Sequence, residues 1–203
     1  MMRRMSTEYT DVRQHILDTA KPLILGKGFS AVGLSELLTQ AGVPKGSFYH
    51  YFKSKELFGE ALLDDYFADY QIQLQALLES NEGSAAERLM RYWMTWLETQ
   101  SGPCIDGKCL TVKLSGEVSD LSEAMREALH NGTSRIIESI ADGLRAGAAD
   151  GSLPAAIDAQ STALTLYTLW LGASLLTKIR HDRSALEAAL ATTRTLLSLP
   201  PAG

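Results

Sequence analysis

Residues 35–52 read SELLTQAGVPKGSFYHYF. Two apolar-periodic runs, SELLTQA and KGSFYHYF, are separated by Gly42, Val43 and Pro44. Glycine suits the left-handed turn that ends a helix, and proline cannot continue one. Ser35 is placed where an N-cap for the first run is expected. Leu37, Leu38 and Ala41 give the first run an apolar face, and Phe48 and Phe52 lie at i, i+4 on the second. Two short helices joined by so tight a turn make a helix-turn-helix or a generic helical hairpin. If Phe48 and Phe52 point inward, Lys45, Gly46, Ser47, Tyr49, His50 and Tyr51 lie nearer the outside. Small, hydroxylated, aromatic and cationic groups of this kind suit phosphates and base edges. The second run carries no acid in its first turn, so its N–H groups can meet an anion.

The rest of the chain has the same helical period and little strand alternation. Val12, Ile16, Ala20, Leu23 and Ile24 form one stripe over 11–27. Ser54 is the N-cap candidate for a helix over 55–79, and further helices are expected over 84–100, 109–118, 121–148, 158–180 and 183–198. The fold class is all-α, with about nine helices. The run ALTLYTLWLGASLLTKI at 163–179 has 17 residues and polar interruptions, which fits a buried helix better than a membrane span. No apolar segment follows Arg3 and Arg4, so no secretory signal is expected, and the chain is expected to be cytoplasmic with reduced thiols.

Net charge is −5, but its distribution is uneven. Residues 1–55 carry eight Lys/Arg against four acids, a balance of +4, and the remainder carries −9. A basic head on an acidic body points to nucleic acid at the N-terminal end.

The segment GLSELLTQAGVPKGSFYHYFKSKELF at 33–58 resembles the signature of the TetR family of repressors. The size, the all-α pattern and the position of the motif agree with that family over the full length. The resemblance implies a three-helix DNA-binding head over 1–56 and a helical regulatory and dimerisation domain over 57–203. It implies phosphate contacts from Ser35 and Lys55. Lys45, Gly46 and Ser47 would lie in the major groove, and Tyr49 and His50 on backbone or base edges. It also implies a homodimer on a palindromic operator, paired through helices about 158–180 and 183–198. Half-sites of such dimers lie about 34–36 Å apart, or multiples of that.

Both cysteines fall in PCIDGKCLTVKL at 103–114. A metal site is not expected: there is no CxxC, and His15, His50, His130 and His181 are scattered. No positioned base or oxyanion device accompanies either thiol, so no enzyme and no cofactor are expected. Two readings stay open on chemistry alone. Cysteine is among the most buried residues, so Cys109 suits a core. It also falls at the expected start of a helix, between Lys108 and Lys113, where a thiolate is favoured.

The segments CLTVKLSGEVSDLSEAM at 109–125 and LYTLWLGASLLTKI at 166–179 resemble an electrophile-responsive branch of the same family. In that branch the cysteine opening CLTVKL is the redox sensor, which corresponds to Cys109, and a late lysine works with it, which corresponds to Lys178. The inducer implied is a reactive electrophile or oxidant such as a chlorine species, and the genes controlled are those of detoxification. Cys104 has no counterpart in the resemblance; it resolves an oxidised Cys109, pairs between subunits, or stands by. The alternative is a repressor gated by non-covalent binding of a hydrophobic molecule, with Tyr92, Trp93, Trp96 and Trp170 lining its pocket.

Overall fold

The computed structural model describes residues 3–102 and 109–200, with side chains from residue 12 onward. Cys104 and Lys108 lie outside the described residues. Nine helices are present among the described residues, and no strand: α1 Arg3–Lys27, α2 Leu34–Ala41, α3 Lys45–Phe52, α4 Lys55–Leu78, α5 Ala85–Ser101, α6 Leu110–Val118, α7 Glu123–Asp150, α8 Ala159–Arg180 and α9 Ser184–Leu196. No helix among them is long and apolar enough to cross a membrane.

The chain packs as two compact units. One comprises residues 1–68 and 108–132; the other comprises 69–107 and 133–203. Helices α4 and α7 each contribute residues to both. These units follow packing, whereas the division at residue 56 follows expected function. Packing gathers α6 with the N-terminal helices.

In the first unit, Ile16, Leu17, Ala20 and Ile24 of α1 are essentially inaccessible. They meet the buried faces of α2 (Leu37, Leu38, Ala41) and α3 (Phe48, Phe52). Phe58 of α4 closes an aromatic triangle, with centroids 5.2 Å for Phe48–Phe52, 5.3 Å for Phe48–Phe58 and 5.1 Å for Phe52–Phe58. Polar ties fix the register. His15 Nε2 lies 2.9 Å from the carbonyl of Ala41, and Lys21 pairs with Asp65 at 2.7 Å. The turn after α2 depends on Gly42, whose φ of 64° places it in the left-handed region. The N–H of Val43 donates to Leu38 O at 3.1 Å and that of Gly42 to Thr39 O at 3.3 Å, the pairing of a Schellman motif.

In the second unit, α5 opens with a capping box between Ser84 and Glu87. Its buried face carries Leu89, Tyr92, Trp93, Trp96 and Leu97. Helices α8 and α9 are joined by residues 181–183, with His181 left-handed at φ 57°. The inner face of α8 (Ala163, Leu166, Tyr167, Trp170, Ala173, Ser174, Thr177) is buried; α9 buries Leu186, Ala189 and Thr193.

Gly132 of α7 lies where α7 and α4 approach closely. A Cβ there would lie 2.1 Å from the Phe67 ring of α4. Phe67 is itself 1% exposed and has little space in which to retreat. Gly132→Ala is therefore expected to destabilise the chain by about 1–3 kcal/mol through overpacking, despite alanine's better helix propensity. Denaturant unfolding of the two chains measures this, and an unchanged midpoint would count against the close contact.

Candidate nucleic-acid interface and sensor helix

Phe48 and Phe52 are turned inward, at 0% and 3% exposure. That choice sets the outer face of α3. Lys45, Gly46, Tyr49 and His50 are exposed, and Ser47 and Tyr51 are half-buried. Tyr49 packs edge-on to Phe48 at 5.5 Å, and the Lys45 ammonium stands 5.8 Å above the Tyr49 ring. His50 and Tyr51 meet edge-on at 5.1 Å. Pro44 precedes the helix without a side-chain cap, and no acid occupies the first turn. A Cβ on Gly46 would meet nothing within 4 Å. Packing therefore does not require glycine there, although glycine costs a helix about 1 kcal/mol relative to alanine. Its small size leaves the outer surface open to something outside the chain.

Two expected contact residues sit differently from the simplest expectation. The N-cap of α2 is Gly33, not Ser35; Ser35 is the second helical residue and is exposed. Lys55 is half-buried. Its ammonium donates to Val32 O at 2.8 Å and lies 5.0 Å from the Phe29 ring centroid. Ser54 does cap α4, its Oγ accepting from the N–H of Leu57 at 3.1 Å.

Cys109 is the N-cap of α6, one residue before the helix, and is 8% exposed. The Tyr66 hydroxyl of α4 donates to its sulfur at 3.6 Å. Lys113, expected near the thiol, extends its ammonium instead to Gly26 O at 3.4 Å. Lys178, in the other unit, is exposed near the end of α8.

Glu117 was not singled out by the sequence. Its carboxylate accepts from the N–H of Ser30 at 2.6 Å and of Phe29 at 3.1 Å. Burial opposes its charge, but the Ser30 and Phe29 hydrogen bonds and nearby Lys113 prevail, holding the carboxyl below its ordinary value. Neither Glu117 nor Tyr66 leaves a periodic signal, since their partners are 87 or 88 and 43 residues away.

The aromatic group proposed as a pocket lining is packed upon itself. Tyr92, Trp93, Trp96 and Trp170 are all at most 6% exposed. Trp93 and Trp170 stack at 5.0 Å and 17°, and Trp96 lies 5.8 Å from Trp93. Trp96 Nε1 donates to Ser174 Oγ and Trp170 Nε1 to Thr193 Oγ1, each at 2.9 Å. Those hydroxyls in turn donate to the carbonyls of Trp170 and Ala189. Trp93 Nε1 is buried without a hydrogen-bond partner, but rings stacked on one another, with the N–H groups of Trp96 and Trp170 directed to helix hydroxyls, make a core. Among the described residues, no group of His, Cys, Asp and Glu is arranged to hold a metal.

The chain matches the model of bacterial regulatory proteins of the tetR family over residues 16–62, and that of the tetracyclin repressor-like C-terminal domain over 85–193. It is 43% identical to the HTH-type transcriptional repressor NemR of Escherichia coli (strain K12), covering 94% of this chain and 96% of that one. It is 32% identical to the HTH-type transcriptional repressor DhaR of Mycobacterium sp. (strain GP1), over 89% of each chain. The crystal structure of E. coli NemR in its reduced form superposes with a TM-score of 0.88, at 45% identity over 94% of this chain and 98% of that one. These relatives are regulators, not enzymes, and regulators of this kind bind operator DNA and are typically dimeric. The chain belongs to the TetR family of bacterial transcriptional regulators.

Proposed function

We propose that this repressor leaves its operator when a reactive electrophile or oxidant modifies Cys109, and that it thereby controls detoxification genes in the cytoplasm. The observation that carries this is the setting of Cys109: the N-cap of α6, with the Tyr66 hydroxyl on its sulfur. The thiolate is the reactive form of a cysteine, and reactive cysteines recur at helix N-termini. The similarity to NemR, crystallised in a reduced form, supports a redox reading. With N-ethylmaleimide, the thiolate sulfur adds to one alkene carbon, and the other takes a proton from water, so nothing leaves. With hypochlorous acid, the sulfur bonds to chlorine and hydroxide departs, giving a sulfenyl chloride that water hydrolyses to the sulfenic acid, with loss of chloride and a proton.

In this reading residues 1–56 contact DNA, through Ser35, Lys45, Gly46, Ser47, Tyr49, His50 and Lys55, and residues 57–203 sense and dimerise. The outer face of α8 supports a dimer. Leu164, Leu175, Leu176 and Ile179 are 41–64% exposed there, and Leu196 of α9 is 44% exposed. Lys178 lies among the late residues of that face, where a second copy would cover its stem. The stacked aromatic core gives no support to the non-covalent alternative.

Cys109→Ser is expected to bind operator as the wild type does and to hold it after N-ethylmaleimide or hypochlorite, while the wild type loses affinity at least tenfold. A gel shift measures both; release of the serine variant refutes the thiol switch. A tenfold loss needs only about 1.4 kcal/mol of bias against the DNA-competent packing. Ile179→Glu should drive the chain toward monomer in size-exclusion chromatography with light scattering, and weaken operator binding with it. Lys55→Ala is expected to weaken binding to all duplexes about equally and to reduce the slope of log K against log salt by about 1. Selective loss at one operator base would contradict a phosphate role.

A further inference from the structure

Helix α6 is tied to the segment between α1 and α2 by more than apolar packing. Its inner face is buried through Leu110, Leu114 and Val118, at i, i+4 and i+8. Beside that face stands Glu117, whose two oxygens accept the N–H groups of Ser30 and Phe29. The backbone there is shaped around the carboxylate. Gly28 has φ 95°, and a Cβ on it would lie 2.8 Å from Glu117 Oε2. The far side of the same segment is held by α4, where Lys55 donates to Val32 O and covers the Phe29 ring. Leu34, which opens α2, follows within four residues of Ser30.

Ser30 is exposed, so its N–H has water as an alternative partner. The carboxylate is therefore a tether across 87 residues of chain at Ser30, and it also satisfies the N–H of buried Phe29. Glu117 also lies eight residues beyond Cys109, about 12 Å along the helix axis at 1.5 Å per residue. The nine residues of α6 run from the residue after Cys109 to the one after Glu117, so one continuous helix joins the two positions.

We infer that Glu117 couples α6 to the operator-binding head, its carboxylate fastening the Phe29–Ser30 bend to α6 so that the setting of α6 and the setting of the helix-turn-helix are linked. The inference rests on the family's DNA binding and does not need the thiol switch; where the switch operates, this clamp transmits it. Coupling is reciprocal, so operator must also act on α6.

The test uses the full chain and a duplex selected on it from a random-sequence pool. Hydrogen exchange followed by mass spectrometry should show that the duplex slows exchange over both 34–52 and 110–118 in the wild type. In Glu117→Gln, which keeps the shape and loses the charge, protection of 34–52 should remain while that of 110–118 falls at least threefold. Glu117→Ala should behave likewise, with thermal unfolding within a few degrees of the wild type. Equal protection of 110–118 in wild type and variants overturns the inference. So does loss of folding and DNA binding together in Glu117→Gln, which would make the carboxylate merely structural. A second arm adds N-ethylmaleimide, with Cys109 alkylation verified by mass: Glu117→Gln should remain on DNA at least tenfold better than the alkylated wild type. If the wild type itself is not released, the thiol switch fails, and the exchange arm still decides the clamp.

Discussion

Helix α3 has eight residues, too few to hold a helical shape in water. It exists because Phe48 and Phe52 are packed against Phe58 and the buried stripe of α1. That burial does two things at once. It supplies the stability the short helix lacks, and it fixes which residues face out. Turning the helix to expose Lys45, Gly46, Tyr49 and His50 is the same event as burying the two phenylalanines. The face proposed to meet nucleic acid is thus a by-product of the aromatic triangle, and its precision is inherited from it.

The same logic governs α6, with nine residues and a narrow apolar stripe. Apolar contacts alone define a face but permit sliding, since they have no direction. Hydrogen bonds from Phe29 and Ser30 to Glu117 supply the direction. Charge assists them, because the carboxyl is held in its ionised form by those same donors despite its partial burial. Helices α3 and α6 therefore differ in how they are fixed: α3 by ring packing, α6 by apolar packing and a charged clamp.

Much of the fold was legible because burial leaves a period. The stripe Ile16, Ala20, Ile24 and the pair Phe48 and Phe52 were read at their observed positions, and helix ends from α2 onward fell within about two residues; only the start of α1 was placed late. Ser35 was misplaced as an N-cap because a serine before an apolar run is a frequent but local cue, and here Gly33 takes that position with no side-chain bond. The aromatic cluster was ambiguous for a physical reason. Trp93, Trp96 and Trp170 lie inward in either case, and only their mutual stacking, with the N–H groups of Trp96 and Trp170 bonded to helix hydroxyls, distinguishes a filled core from a lined space. Tyr66 and Glu117 could not be found at all. A polar partner many residues away imposes no rhythm on the chain, and a single glutamate on a helix looks like a solvated one.

Burial and reactivity at Cys109 look opposed, yet in the proposed function they belong together. An exposed thiol can accept an added group without disturbing anything. A thiol that is 8% exposed, at the start of α6 and against the Tyr66 hydroxyl, cannot. Packing there is close to crystalline density, so an added succinimide ring or even an oxygen must displace a neighbour. The phenol hydroxyl donates to the sulfur within that packing. A modification that is slow to enter but hard to accommodate is what a two-state regulator needs: the chemistry is local, and the strain it introduces falls on α6 and on Tyr66 of α4.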